Sequence, residues 1–103
     1  MIVDVLEPIT LVGGANVPDA LLLDTVARAP VLVAADSGAD RALAAGLMPR
    51  AVIGDLDSLS AAGRAALPAG AVHHIPEQDS TDFDKALRNI AAPVVLGVGF
   101  LGD

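Results

Sequence analysis

The run Val31-Leu32-Val33-Ala34-Ala35, closed by Asp36, constrains the fold of this chain more than any other feature. A strand with one wet face alternates apolar and polar residues, whereas an unbroken aliphatic run reads as a strand covered on both faces, as in a parallel sheet. Shorter apolar runs recur at Ile9–Val12, Ala51–Ile53, Val72–Ile75 and Val94–Val98, and the segments between them carry helical spacing. Pro18–Ala29 puts Leu21, Leu22, Thr25, Val26 and Ala29 on one helical face. Ser37–Ala45 closes on Gly46, Ser60–Leu67 is stopped by Pro68, and Ser80–Ala91 turns Phe83, Ala86, Leu87 and Ile90 inward. The alternation predicts an α/β fold, an open, mainly parallel Rossmann-like sheet of about five strands with right-handed crossovers and helices on both faces. The last run stops five residues before Asp103, which puts it at a sheet edge or makes the chain a piece of something larger.

Composition narrows the function classes. At 103 residues the chain is one domain, and 53% hydrophobic residues, almost none aromatic, exclude a disordered segment. The net charge of −7 argues against nucleic acid and anionic membranes as partners, since both are held by clustered Lys and Arg. No apolar run approaches the roughly 20 residues of a membrane span. The N-terminus lacks a basic stretch followed by an apolar one, and there is no cysteine, so the expected compartment is the cytoplasm. Eleven Asp stand against two Glu. Asp favours turns and helix N-caps over helix interiors, so the carboxylates fall at loop ends.

In open α/β sheets ligands gather outside the carboxyl ends of the strands. Those ends read Gly13-Gly14, Asp36-Ser37-Gly38-Ala39-Asp40, Gly54-Asp55-Leu56-Asp57-Ser58, Pro76-Glu77-Gln78-Asp79-Ser80-Thr81-Asp82 and Gly97-Val98-Gly99. Four of the five carry glycine and three carry Asp, a convergence that scattered surface charge does not produce. If Asp55 and Asp57 continue the strand, they project the same way and suit a cation between them, Mg²⁺ above all for hard oxygen ligands. The same residues also suit a solvated Asp-rich turn, with Ser58 capping the segment after it. Ser37 with Asp40, and Asp79 with Asp82, fit plain N-cap pairs equally well. Lys85 stands one turn into the fourth helix, where it would meet phosphate. His73 and His74 read as one inward and one solvent-facing strand residue. Gly97-x-Gly99-x-x-Gly102 spells a dinucleotide fingerprint, but no helix comes after it. Taken together, these residues describe a Mg²⁺-dependent site for a phosphorylated ligand.

The blocks Ala35-Asp36-Ser37-Gly38-Ala39-Asp40, Gly54-Asp55-Leu56-Asp57-Ser58 and Gln78-Asp79-Ser80-Thr81-Asp82-Phe83-Asp84-Lys85-Ala86-Leu87 resemble, in order and spacing, the N-terminal catalytic domain of thiamine pyrophosphokinase. The resemblance implies transfer of pyrophosphate from ATP to the hydroxyl of thiamine, giving thiamine diphosphate and AMP. It implies Mg²⁺ on Asp55, Asp57 and Asp82, with Asp36 and Gln78 lining the site and Lys85 on phosphate. Gly13, Gly14, Ser37 and Ser58 would contact the nucleotide. The family continues with an Arg-x-Asp-His loop and a C-terminal β-sandwich domain, and it works as a homodimer with thiamine bound between subunits. On that comparison, residues 1–103 form the ATP-binding half and turn over thiamine weakly or not at all alone. A pyrophosphokinase for another hydroxymethyl heterocycle such as a pterin, a phosphatase or glycosyltransferase using Asp-x-Asp, and a non-catalytic nucleotide-binding module are the alternatives.

Overall fold

The aliphatic runs become strands, and what covers them decides where the site sits. In a computed structural model, residues 1–76 and 81–100 are described. The strands are β1 (Val3–Asp4), β2 (Ile9–Val12), β3 (Val31–Ala35), β4 (Ala51–Gly54), β5 (Val72–His74), β6 (Ile90–Ala91) and β7 (Val95–Val98). The helices are α1 (Asp19–Arg28), α2 (Gly38–Ala44), α3 (Ala61–Ala66) and α4 (Asp82–Arg88). Five strands form one parallel sheet in the order β5-β4-β3-β2-β7, with Val33 opposite Leu11 and Ala34 opposite Val52. No helix among the described residues is long and apolar enough to cross a membrane.

Strand alternation sorts the core into two layers. Val12, Leu32, Ala34 and Val52 face one side, where Leu22 of α1, Ala39 and Ala42 of α2, and Leu67 after α3 cover them. Ile9, Leu11, Val33, Ala35, Ala51 and Ile53 face the other, against Ala86 of α4 and the small β1–β6 pair. Three helices thus lie on one face and α4 on the other, the arrangement expected of an open α/β sheet. Thr10 is fully buried in β2 and donates its hydroxyl to the Ala29 carbonyl at 2.8 Å, fixing the end of α1 to the sheet. β7 lies at the sheet edge beside β2.

Some boundaries and faces differ from the sequence expectation. The fourth helix ends at Arg88, and Ile90-Ala91 instead pairs in parallel with Val3-Asp4. Two-residue strands carry no readable periodicity, so only the tertiary fold makes them visible. Leu21 and Leu87, expected on inward faces, are exposed. The N-cap of α4 is Thr81, whose hydroxyl accepts from Asp84 N at 3.2 Å; the reading that gives this role to Asp79 falls on a residue outside the described set. His73 is half-buried and His74 exposed, as strand alternation requires.

Candidate active site

Two adjacent strands deliver the first carboxylates. Asp36 follows β3 directly and is buried, with a left-handed φ of 50° that Asp tolerates better than most residues. Its amide donates to the Ile53 carbonyl of β4 at 3.0 Å, which fixes where the chain turns off the sheet. Asp55 follows β4. The idea that Asp55 and Asp57 share a face by strand alternation does not hold, since β4 stops at Gly54 and Leu56 has φ 67°. Leu56 is held in that disfavoured region by burying its side chain in the core layer beneath α1 and α2. The turn folds Asp57 N back onto Asp55 Oδ1 at 3.1 Å and leaves the Asp57 side chain exposed.

A hydroxyl and a cation complete the cluster. Ser58 donates to Asp36 Oδ2 at 2.8 Å, tying the β4 loop to the β3 loop. Lys85 reaches in from α4 on the opposite layer, 2% exposed, with Nζ 3.8 Å from Asp55 Oδ2. Asp55 is held below the usual carboxylate range first by the Asp57 amide; burial works against this. A hydrogen bond with the Asp36 carboxyl, the Lys85 ammonium and His74 add to the lowering. Asp36, Asp55, Ser58 and Lys85 therefore meet at one point on the carboxyl edge. The side chain of Asp82 and all of Gln78 lie outside the described residues.

The glycine and serine candidates sit beside this cluster. Gly14, Ser37, Asp40, Arg41 and Ala44 line a cavity of about 340 Å³ at the start of α2. Gly14 lies directly beside Ser37, so that a Cβ there would push the Ser37 hydroxyl aside. Gly13 belongs instead to the β2–β7 junction, its amide on the Val98 carbonyl at 2.8 Å and its Cβ position filled by Gly99 O and the Phe100 ring. Ser37 makes no capping bond. Asp40, its expected capping-box partner, reaches across to α3, where it accepts from Ser60 N at 2.9 Å and from the Ser60 hydroxyl.

Arg41 of α2 is a further cation at this edge. In the structure its Nη2 donates to Asn16 Oδ1 at 3.0 Å, while its buried Nε has no partner among the described residues. It stands four residues after Ser37, hence on the same helical face, and that spacing is the signal that could have found it.

The chemistry of the donor set can be tested against Mg²⁺. Asp36 and Asp55 offer hard oxygens at one point, and Mg²⁺ is commonly held by one or two carboxylates plus substrate phosphates and water. Among the described residues no group of three Asp, Glu or His is close enough to enclose a metal alone. The set fits a cation that arrives with a phosphorylated ligand.

Comparison with known proteins decides the family. The model of the thiamin pyrophosphokinase catalytic domain matches residues 22–102. The chain belongs to that family. Among solved structures, thiamine pyrophosphokinase from Bacillus subtilis superposes with a TM-score of 0.69 at 26% identity, over 94% of this chain and 48% of that one. The enzyme from Geobacillus thermodenitrificans gives 0.67 at 30% identity, over 93% and 48%. Thiamin pyrophosphokinase from Candida albicans shares the fold at 21% identity, with a TM-score of 0.63 over 80% of this chain and 30% of that one. This catalytic domain thus spans about half the length of the two bacterial relatives. No curated protein sequence matches it.

Proposed function

We propose that this domain holds Mg-ATP for transfer of a pyrophosphoryl group to the hydroxyl of thiamine, with AMP as the second product. The observation that carries the reading is the meeting of Asp36, Asp55, Ser58 and Lys85 at one strand edge, inside the segment that matches the catalytic-domain family. Mg²⁺, when bound, would draw charge off the β- and γ-phosphates and so favour attack at phosphorus. Asp55 and Asp36 are the described residues that would hold it, with Asp57 and Asp82 as further candidate ligands. Asp57 N donates to Asp55 and the Ser58 hydroxyl donates to Asp36, so each of these two carboxylates is held by a hydrogen bond from the β4 loop.

In the proposed reaction the thiamine hydroxyl oxygen bonds to the β-phosphorus, and the bond from that phosphorus to the bridging α,β-oxygen breaks. AMP leaves, and the hydroxyl proton passes to a carboxylate of the cluster. The cavity at Gly14, Ser37 and Arg41 would take the nucleoside end of the donor, and Gln78 is a further candidate contact, with Asp36, at the metal and phosphate site. Phe83 and Phe100 pack edge to face on each other, centroids 4.8 Å apart, inside the layer under α4. We place the acceptor pocket outside residues 1–103, in the C-terminal part and homodimer that the family resemblance implies, with a cytoplasmic setting.

Calorimetric titration with Mg²⁺ and α,β-methylene-ATP tests the reading. The wild-type chain binds, D55N weakens binding tenfold or more, and R41A weakens it by about tenfold to a hundredfold, the worth of a charge-assisted hydrogen bond. Absence of nucleotide affinity in the wild type, or indifference to D55N, contradicts it.

A further inference from the structure

Lys85 is a cation built into a place meant for another cation. Its side chain is 2% exposed, enclosed between α4 and the sheet, and its Nζ faces Asp55 Oδ2 at 3.8 Å. A buried ammonium needs compensating charge, and a buried carboxylate beside a second carboxylate needs it too. Buried Asp36, bonded by Ser58, and part-exposed Asp55, bonded by Asp57 N, are those carboxylates. The separation is that of an ion pair rather than a short hydrogen bond, so Lys85 neutralises Asp55 without using up the lone pairs of Oδ2. The oxygen keeps its capacity for a metal, while the field at that point already contains a positive charge.

We infer that Lys85 acts as the resident counter-ion of the carboxylate edge, keeping divalent cation affinity low until the phosphates of the nucleotide arrive with the metal. The inference rests on the donor-site reading above and adds an order of binding to it. Lys85 offsets part of the carboxylate charge that a divalent ion arriving alone would meet. A metal carrying polyphosphate brings its own anions, which Lys85 then faces from the same position. The lysine thereby discriminates between free metal and metal–nucleotide without moving.

Binding of Mn²⁺, followed by the electron paramagnetic resonance signal of the free ion, separates this role from a plain phosphate contact. The wild-type chain should bind Mn²⁺ alone weakly and at least tenfold more tightly with α,β-methylene-ATP present. K85M should bind Mn²⁺ alone tenfold or more tightly than wild type, through loss of one neighbouring positive charge, and gain less from nucleotide. K85M should also melt at a lower temperature than wild type in chelator and recover on adding Mn²⁺, a reversal that a merely structural lysine would not show. Equal or weaker Mn²⁺ binding by K85M, or a wild type that binds Mn²⁺ alone as tightly as with nucleotide, overturns the inference while leaving the donor site standing. If K85M fails to fold at every Mn²⁺ concentration, the wild-type comparison decides by itself. A wild type that binds no Mn²⁺–nucleotide removes the donor site and this inference with it.

Discussion

Asp55 shows how little freedom a single side chain has at the edge of this sheet. One oxygen accepts from the Asp57 amide and the other faces Lys85. The folded protein therefore favours its ionised form, and its pKa lies below the ordinary value of 3.8. A depressed carboxylate contributes stability that is fully present above the unfolded pKa and is lost as pH falls through the lower folded value. Urea unfolding in chelator should show this as a stability difference between wild type and D55N that is constant from pH 7 to about pH 5 and shrinks toward pH 3. A difference that grows on acidification would mean that the site resists the charge instead. The sequence could place Asp55 at a strand end, because an apolar run followed by Gly-Asp is legible locally. It could not show that Leu56 turns left-handed and separates the two carboxylates, since that conformation depends on a core pocket formed by α1 and α2.

Among the elements, the joint between α2 and α3 carries the largest difference between pattern and structure. Ser37-x-x-Asp40 fits a capping box, yet Ser37 is left to line the cavity and Asp40 serves the next helix. Ser60 caps α3 by accepting from Gly63 N at 2.8 Å and donates its own hydroxyl to Asp40, so one side chain joins the two helices. S60A should cost about 1–2 kcal/mol in chemical denaturation, a cap together with an exposed hydrogen bond. S60D should fail to restore it, because a carboxylate caps the helix but repels Asp40. Recovery by S60D would show that capping alone accounts for the loss. The long strands and the helix periodicities were readable because each is decided within a few residues. The β1–β6 pair was not, because it depends on where distant segments come to rest.

At the scale of the molecule, the fold gathers residues from both layers onto one edge. Asp36 and Asp55 come from neighbouring strands, Lys85 from the helix on one face, and Ser37 and Arg41 from a helix on the other. The convergence of Gly and Asp at strand ends announced that edge in advance, and the family match places the chain among thiamin pyrophosphokinase catalytic domains. It did not announce the division within the edge, a carboxylate–lysine cluster toward α4 and a cavity toward α2. The central claim is that Mg-nucleotide binds at this edge. Paramagnetic broadening of amide resonances by substoichiometric Mn²⁺ with α,β-methylene-ATP tests it most directly, because the effect falls off steeply with distance from the ion. The account predicts that the amides of Asp36, Asp55, Leu56, Asp57 and Ser58 broaden first, followed by those of Gly14 and Ser37. Broadening centred on the surface carboxylates Asp19 and Asp24 of α1, with residues 54–58 spared, would contradict it.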